Sequence, residues 1–381
     1  MMKICIVVPF FTPFVRGNEF GLAQSLIELG NDVTILTSTA KAPREEMIRG
    51  KDYNFYSYDF KVKYLPTPLN VGENPIVPSV FTHILKNGYD VVLLQEDYPI
   101  ICHLAYFAAR LKRTPTVLST ERTYYPEDLT KKTSLKILDK TANKIMRNGV
   151  DVMTAHCTAA KEFMIKEVGV KREIKIIPVG VDTKLFKQMK SKEQHLTSGE
   201  LKILTVARLH KYKGLNYLIN AMKTVHEEIP DARLYILGKG PEERNLGNLV
   251  KNLALEDVIE FIKTPIPNHK MPELYAECDV YVQPSIVEPF GIAVLEAMAC
   301  GKPVIGTKVG GMIDTIVDGE TGFLVNPKDS KELAERIIML KDEKPRKKLG
   351  KNARERAVKH FDWKEIGLEY QKLLKPSNLG G

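Results

Sequence analysis

The chain has 381 residues, of which 44% are hydrophobic and 27% are charged. That balance excludes an intrinsically disordered chain, and 25 Gly with 22 Pro are far too few for a fibrous repeat. The 56 Lys and Arg outnumber the 47 Asp and Glu, so the formal net charge is +9 at pH 7. This charge favours an anionic partner such as a phosphate-bearing ligand, a membrane surface or nucleic acid, without selecting among them.

The first half of the chain alternates short apolar runs with amphipathic stretches. The opening run meets Pro9 after a few residues and no small-residue cleavage site follows, so we interpret it as a buried strand and not as a signal peptide. Helices are predicted at residues 21–29 and 100–111. The predicted strands are residues 3–8, 32–37, 91–94, 116–118, 152–154 and 174–177. Because these strands are apolar on both faces and alternate with helices, they predict a parallel sheet covered on both sides.

A polar segment without periodicity, residues 188–199, interrupts the alternation and predicts an interdomain linker. Residues 330–374 have an almost wholly helical pattern. Beyond the polar segment, further strands are predicted at residues 202–206, 233–237, 258–261, 280–283 and 303–306. The sequence therefore predicts an α/β protein of two doubly wound domains in series, with a boundary near residue 184.

The cysteine pattern and the hydropathy argue against several kinds of site. The cysteines are Cys5, Cys102, Cys157, Cys278 and Cys300, and no two of them form a C-x-x-C pair. We therefore expect neither a disulfide framework nor a structural zinc site, and a reduced, cytoplasmic setting. No run of about 18 apolar residues occurs, so no bilayer-spanning helix is expected. A strict D-x-D is also absent, and we expect no metal and no other cofactor.

The most specific pattern is E-P-F-G-I-A-V-L-E-A-M-A-C-G-K-P-V-I, residues 288–305. It predicts a helix over about residues 290–300, followed by a new strand. Backbone N–H groups around Phe290, Gly291 and Ile292 would be unpaired donors at the positive end of that helix, which suits a phosphate. Gly291 would also allow an anion to approach the backbone closely.

Two glutamates stand eight positions apart in this segment. Glu296 falls near the start of the predicted helix and can face the same cleft as Glu288. Taken as a bare pair, they would be surface residues flanking a core helix. Their setting at the carboxyl end of a predicted strand favours a binding site, because ligands of open α/β sheets bind there.

A cationic pair follows the first predicted strand of the second domain, in V-A-R-L-H-K-Y-K-G-L. Arg208 offers a bidentate fork and Lys213 a point charge, which together can hold a diphosphate without a metal. An isolated Arg and Lys in a loop are usually surface charges. Their place at a strand end favours the functional interpretation.

Two further glycines lie at strand ends. Gly238 follows the next strand in G-K-G-P, but Glu243 stands where a dinucleotide fingerprint needs its third glycine, so a nicotinamide-binding fold is disfavoured. A ligand-approaching turn and a plain turn both remain open at Gly238. Gly17, in P-F-F-T-P-F-V-R-G-N-E-F-G, opens the first long helix and could bring backbone amides to a phosphate.

Taken in order, these segments resemble the retaining GT-B glycosyltransferases of glycosyltransferase family 4. The matching segments are the Gly17 loop, I-I-P-V-G-V-D-T-K-L-F at 176–186, the Arg208 and Lys213 loop, residues 288–296, and G-G-M-I-D-T-I-V-D-G-E-T-G-F-L-V at 310–325. The resemblance spans nearly the whole chain and is most specific from residue 174 onward.

The resemblance implies two Rossmann-like domains facing across a cleft. Residues 1–184 would form the acceptor-side domain, joined by a C-terminal helix, residues 362–381, that crosses back to it. Residues 185–361 would form the domain that binds the nucleotide sugar.

It also implies the reaction. A hexosyl group would pass from a nucleoside diphosphate sugar, of the UDP-sugar or GDP-mannose type, to a glycan or lipid-linked acceptor with retention of anomeric configuration. Arg208 and Lys213 would hold the diphosphate, Glu288 would face the donor sugar, and Glu296 would bind the ribose hydroxyls. The amides at Phe290 and Gly291 would face sugar hydroxyls or phosphate.

The chain departs from the family pattern where many members carry a sugar-contacting histidine, after the strand at residues 116–118. Here Glu121 or Arg122 occupies that place, so we expect Glu121 among the substrate-binding residues. Two alternatives to transfer remain open: a nucleotide-sugar 2-epimerase of the same architecture, and a non-catalytic sugar-nucleotide binder, which the missing histidine favours. Of the histidines nearest to strand ends, His156 and His210 are interpreted as structural.

A basic amphipathic helix is predicted over residues 130–149. Its apolar face would comprise Leu135, Leu138, Ala142 and Ile145. Its basic stripe comprises Lys132, Lys136, Lys140 and Lys144. It is interpreted as a core-facing helix with a solvated lysine face, as a contact with anionic lipid at the inner membrane face, or as a site for a phosphate-linked acceptor. Nucleic acid is not expected as a partner, because the basic residues are scattered without interleaved aromatics.

Overall fold

A computed structural model of the chain describes residues 1–12, 17–40, 58–71, 74–191, 196, 201–264, 266–375 and 377. Its contacts divide the chain into unit 1, Met1–Gly180 with Trp363–Gly381, and unit 2, Val181–Asp362. No helix within the described ranges has both the length and the apolar character that crossing a bilayer requires.

Unit 1 is built on a parallel sheet. Its strands are β1 (Lys3–Val7), β2 (Asp32–Ser38), β3 (Lys61–Leu65), β4 (Leu69–Val71), β5 (Asn74–Ile76), β6 (Val91–Gln95), β7 (Thr116–Thr120), β8 (Val152–Ala155) and β9 (Lys175–Ile176). Seven of them form one sheet in the order β3-β2-β1-β6-β7-β8-β9, while β4 and β5 form a separate antiparallel pair. The central strands β1, β6 and β8 are largely buried apolar runs, as expected for a parallel sheet covered on both faces, whereas the edge strands β3 and β9 are mostly exposed.

Helices of unit 1 come from both ends of the chain. They are α1 (Asn18–Glu28), α2 (Ser79–Lys86), α3 (Ile100–Leu111), α4 (Leu129–Lys140), α5 (Ala142–Gly149), α6 (Thr158–Lys166) and, at the C-terminus, α14 (Trp363–Leu373). The Tyr370 hydroxyl of α14 lies 3.1 Å from Ser119 Oγ in β7, and Trp363 packs directly against Gly21. The return of the C-terminal helix to the first domain is thereby confirmed.

Unit 2 has the same kind of architecture. Its strands are β10 (Leu201–Val206), β11 (Ala232–Leu237), β12 (Ile259–Ile262), β13 (Val280–Gln283), β14 (Val304–Thr307) and β15 (Gly322–Val325). Its helices are α7 (Leu215–Glu228), α8 (Glu243–Asn252), α9 (Met271–Glu277), α10 (Ile292–Ala299), α11 (Met312–Thr315), α12 (Ser330–Ile338) and α13 (Glu343–Phe361). The parallel sheet has the order β12-β11-β10-β13-β14-β15.

Both sheets reverse their strand order beside the first strand of the unit. The reversal lies between β1 and β6 in unit 1 and between β10 and β13 in unit 2. At such a switch point the loops leave the sheet in opposite directions and open a crevice at the carboxyl ends of the strands, where ligands of doubly wound folds bind. The two Rossmann-like domains predicted from the sequence are thus confirmed.

Two regions differ from the prediction. The polar segment 188–199 lies within unit 2, and of its described part Leu196 is buried, with its N–H donating to Glu277 Oε2 at 2.7 Å. The helix predicted over 130–149 is broken at Thr141 into α4 and α5. Its expected core-facing residues Leu138 and Ile145 are exposed by 38% and 58%, so the core-facing interpretation of that stripe is wrong.

Candidate functional site

The switch point of unit 2 brings two of the predicted loops together. Arg208 stands two residues after β10, and Glu288 stands five residues after β13. Since β10 and β13 are hydrogen-bonded neighbours, both loops leave the sheet at the same edge. Gly238, at the end of β11, lies against the first loop: a Cβ placed there would be 1.9 Å from the Ala207 carbonyl oxygen.

An ion pair joins the two loops. Lys213 Nζ lies 2.6 Å from Glu288 Oε2, with the two side chains 12% and 9% exposed. Ser285 Oγ donates to the same carboxylate oxygen at 2.9 Å. Lys213 ends a short 3-10 turn, and Gly214 then starts α7, so its position follows from the local backbone. The Lys213 ammonium has three N–H donors, and one of them is used by Glu288.

A series of hydrogen bonds between buried polar side chains ends at the Glu288 carboxylate. The Tyr281 hydroxyl donates to Gln283 Oε1 at 2.6 Å, and Gln283 Nε2 donates to Ser285 Oγ at 2.9 Å. Ser285 completes the series by donating to Glu288. Sequence reasoning missed these residues, although the polar Q-P-S at the end of an apolar strand was a usable signal.

Tyr212 links the cationic pair to the glutamate loop. Its ring centroid is 5.7 Å from Arg208 Cζ and 5.5 Å from Lys213 Nζ, within cation–π range of both. Its carbonyl oxygen accepts the N–H groups of Ile286 at 2.8 Å and Val287 at 3.2 Å. Arg208 itself is exposed. Tyr212 was not predicted, because only the folded chain reveals that one ring serves two cations.

The start of α10 lies beside Glu288. Helix α10 begins at Ile292, two residues later than predicted, after Gly291 with φ +96°. Phe290 as a whole residue is only 2% exposed, so its side chain is buried. First-turn N–H groups of a helix have no partner within it and favour anions. Gly310, with φ +54°, packs so closely that a Cβ there would be 1.6 Å from the Glu288 carbonyl oxygen.

Glu296 sits on α10 in a different environment from Glu288. Its Oε2 accepts a hydrogen bond from the Tyr275 hydroxyl at 2.8 Å. Burial raises the pKa of Glu296 to about 7, and the hydrogen bond from Tyr275 opposes that shift. The structure therefore joins Lys213 and Glu288 in a direct ion pair, links Arg208 to them through the Tyr212 ring, and pairs Glu296 with Tyr275.

In unit 1, the residues that follow β6 and β7 form a second polar cluster. Glu96 has φ +74°, unusual for a residue with a side chain, and its carboxylate accepts the Thr120 hydroxyl at 3.0 Å and the Glu121 N–H. Burial and the charge of Glu121 raise the pKa of Glu96 to about 8. Glu96 was missed by sequence reasoning, and its place directly after a buried strand was the available signal. Glu121 is exposed.

The Arg122 side chain is buried and forms ion pairs inside unit 1. It bonds Asp97 at 2.9 Å and Asp139 at 2.8 Å, and its side chain is 6% exposed. Arg147 pairs with the same two carboxylates. Of the two residues that could take the place of the family's histidine, Glu121 alone is therefore exposed to a ligand.

The start of α1 is held by His156. The His156 Nδ1 faces the Ile177 carbonyl at 3.1 Å, so Nε2 is left to accept from Asn18 Nδ2 at 2.9 Å. Burial lowers the pKa of His156, consistent with a neutral, structural ring. Gly17 caps α1, and a Cβ there would be 2.6 Å from Glu19 Oε1, so an anion at this helix start would require Glu19 to move.

Cysteines and metal-ligating residues do not form clusters in the part of the chain that the structure describes. All five cysteines are buried, and none of them forms a disulfide. No group of three or more His, Cys, Asp or Glu side chains is arranged there for a metal ion.

Comparison with known proteins identifies the family of both halves. The glycosyltransferase family 4 model matches residues 20–185, and the glycosyl transferases group 1 model matches residues 187–356. The chain is 31% identical over 245 residues to N-acetyl-alpha-D-glucosaminyl L-malate synthase of Bacillus anthracis, covering 62% of this chain and 63% of that protein. It is 27% identical to the GDP-mannose-dependent alpha-(1-6)-phosphatidylinositol monomannoside mannosyltransferase of Mycolicibacterium smegmatis, covering 62% and 65%. The matched segments thus span less than two thirds of these relatives.

Solved structures match over the full length. Sucrose-phosphate synthase of Thermosynechococcus elongatus superposes with a TM-score of 0.78 at 24% identity, covering 98% of both chains. HepE of Anabaena, solved with UDP and glucose, superposes with a TM-score of 0.78 at 22% identity, covering 98% of this chain and 99% of that one. These likenesses establish the GT-B fold. With two family models that together account for residues 20–185 and 187–356, the chain belongs to glycosyltransferase family 4.

Proposed function

We propose that this chain is a retaining, metal-independent hexosyltransferase that uses a nucleoside diphosphate sugar. The observation that carries the proposal is the Lys213–Glu288 pair at 2.6 Å, with Arg208 beside it on the Tyr212 ring. Two cations and a helix start at one switch point suit a diphosphate. The relative from Mycolicibacterium smegmatis, described as GDP-mannose-dependent, supports this donor class. UDP and GDP sugars are both candidates.

The proposed step depends on stabilising the leaving group. The acceptor hydroxyl attacks the anomeric carbon from the face that the diphosphate leaves. The new carbon–oxygen bond forms as the bond to the β-phosphate oxygen breaks, and the hydroxyl proton passes to that phosphate oxygen. Arg208 and Lys213 would compensate the negative charge that grows on the diphosphate, which is the term that preorganised cations supply. The products are the glycosylated acceptor and a free nucleoside diphosphate.

The glutamates have separate roles in this proposal. Glu288, held by Lys213 and Ser285, would orient the donor sugar, because its carboxylate is fixed from two sides. Glu296 would bind the ribose hydroxyls, and Gly238 with the amides of Phe290, Gly291 and Ile292 would approach the phosphates or sugar.

Unit 1 would supply the acceptor side. Glu121, exposed at the end of β7, would contact a sugar hydroxyl in place of the family's histidine. Gly17 would lie at the same strand-end edge, although Glu19 already occupies the space beside it. A glycan or a lipid-linked glycan is the acceptor class we propose, and the phosphatidylinositol-linked acceptor named for one relative supports the lipid-linked form. Contact of the basic stripe Lys132, Lys136, Lys140 and Lys144 with an anionic membrane is part of the proposal, although Lys132 is half-buried.

The test is a thermal-shift panel of UDP-sugars and GDP-sugars followed by measurement of nucleoside diphosphate release. A ligand that binds only the folded state raises apparent stability. We expect a shift with one nucleotide class, lost in Arg208→Ala and Lys213→Ala, and kept in the control Lys211→Ala, an exposed lysine of the same turn.

The outcomes separate the alternatives. Release of nucleoside diphosphate that persists in EDTA supports a metal-independent transferase, and release abolished by EDTA refutes that part. Tight donor binding with neither transfer nor slow donor hydrolysis would identify a non-catalytic binder. Nuclear magnetic resonance of the glycosylated product reports the anomeric configuration, and an inverted product would refute retention.

A further inference from the structure

Helices α4 and α5 expose apolar side chains beside lysines on the surface of unit 1. The exposed fractions are 76% for Leu129, 59% for Ile137, 38% for Leu138 and 58% for Ile145. Large aliphatic side chains grouped on one surface are a common mark of an interaction site.

The reason for this exposure is that α4 and α5 are attached to unit 1 by polar groups. Asp139, Asn143 and Arg147 are 4%, 0% and 2% exposed. The Asp139 carboxylate accepts from Arg122 at 2.8 Å and from the Tyr125 hydroxyl at 2.8 Å. Ion pairs and hydrogen bonds, together with the buried Met146, therefore hold the inward face, and the exposed aliphatic side chains point away from the core.

Lysines share the outward face with the aliphatic residues. Leu129, Lys136, Ile137 and Lys140 recur at intervals of seven, eight and eleven residues, which places them on one side of an α-helix. On α5, Lys144 and Ile145 are likewise exposed. Lys136, Lys140 and Lys144 are exposed, and among the described residues none of them forms an ion pair. Lys132, by contrast, is half-buried.

We propose that this surface, formed by Leu129, Lys136, Ile137, Lys140, Lys144 and Ile145, docks on an anionic lipid bilayer. The lysines would contact lipid headgroups, and the aliphatic side chains would enter the interface between headgroups and acyl chains. The inference deepens the proposed function, since it rests on a lipid-linked acceptor being reached at a bilayer.

The composition of the surface favours a bilayer over nucleic acid. Both partners are anionic, but single-stranded nucleic acid is gripped by aromatic side chains on which the bases stack. Here the exposed large apolar side chains of α4 and α5 are leucine and isoleucine, which gain free energy in an apolar interface and offer no ring on which a base could stack.

The experiment is cosedimentation of the whole chain with vesicles, in the absence of donor and acceptor. One set contains phosphatidylcholine alone, and the other contains equal parts of phosphatidylcholine and phosphatidylglycerol. We expect binding to the second set only, weakened by added salt. The double variant Lys140→Glu with Lys144→Glu should lose at least tenfold in affinity, and Ile137→Ser with Ile145→Ser should lose about as much. The matched control is Lys171→Glu with Lys175→Glu, two exposed lysines of unit 1 with the same charge change.

The fold of each variant is checked by the fluorescence of the single tryptophan, Trp363, which packs within unit 1. Equal losses in the control and in the Lys140 and Lys144 variant would overturn the inference, because they would indicate a response to net charge alone. Binding that survives the isoleucine variant, or equal affinity for single-stranded DNA, would also overturn it. Because no sugar is present, failure here leaves the transferase proposal standing, and failure of transfer leaves vesicle binding to be judged separately.

Discussion

The Lys213–Glu288 ion pair should be energetically coupled, and a double-mutant cycle can measure the coupling. Lys213→Met removes the ammonium 2.6 Å from a carboxylate whose side chain is 9% exposed. Breaking a buried ion pair by removing one partner costs about 3–5 kcal/mol. Glu288 keeps donors from Ser285 at 2.9 Å and from Gln283 at 3.4 Å, so we expect the low end of that range.

The second single variant, Glu288→Gln, leaves Lys213 without its carboxylate and should cost a similar amount. The double variant removes both charges, so its loss should be well below the sum of the two single losses. Coupling between contacting residues is commonly about 0.5–3 kcal/mol, and we expect a value near the upper end. Lys211→Met, in the same turn but exposed, should change stability by no more than about 0.5 kcal/mol.

The assay is urea unfolding at neutral pH followed by circular dichroism, with Trp363 fluorescence as a separate reading from unit 1. The free energies of unfolding of the four proteins give the coupling directly. If the single losses add in the double variant, Lys213 and Glu288 do not stabilise each other, and our account of how the cationic pair is positioned is refuted.

Three further predictions concern single residues. The pKa of Glu296 is raised to about 7 in the folded chain. The contribution of Glu296 to stability is therefore complete below its pKa in the unfolded chain and is lost as the pH rises through 7. Glu296→Gln should flatten the decline of the urea midpoint between mildly acidic and mildly alkaline pH. Gly310→Ala places a methyl group 1.6 Å from the Glu288 carbonyl oxygen and should lower the melting temperature strongly. Gly319 has φ +75° but open space around it, so Gly319→Ala should reduce the free energy of unfolding by only about 1–2 kcal/mol. Equal losses in the two variants would contradict this expectation. Gly21→Ala would put a methyl 1.9 Å from the Trp363 ring, so it should displace the ring and shift its fluorescence to the red, and an unshifted spectrum would contradict the packing.

The sequence was sufficient for elements whose interactions are local and apolar. The runs at 280–283 and 100–111 coincide with β13 and α3, because a continuous apolar run or an amphipathic period carries its own signal. Strand β3, with the sequence K-V-K-Y-L, was not predicted. It lies at the edge of the sheet that the structure describes, where it pairs with β2, and it is mostly exposed, so it lacks the apolar run that marks a central strand.

The parts that the sequence could not predict depend on contacts between distant residues. The stripe at Leu138 and Ile145 has the period of a core-facing helix, yet the buried charges of Asp139 and Arg147 determine which face of the chain turns inward. A buried carboxylate and guanidinium must pair, and once paired they orient both helices. Likewise, Tyr212 contacts Arg208 and Glu96 contacts Thr120 only in the folded chain, so neither residue could be assigned to a site from the sequence.

The distribution of charge gives a reason to assign the donor to unit 2 and the acceptor hydroxyl to unit 1. At the unit 2 switch point, Glu288 is compensated by Lys213, which leaves the exposed Arg208 and a helix start as net attraction for an anion. In the described segment that follows β7 of unit 1, buried aspartates already neutralise Arg122, and Glu121 is exposed. A diphosphate placed beside Glu121 would meet repulsion, whereas a hydroxyl can donate a hydrogen bond to its carboxylate. The negative part of a lipid-linked acceptor would then favour the lysines of α4, which Asp139 and Arg122 attach to the segment that follows β7.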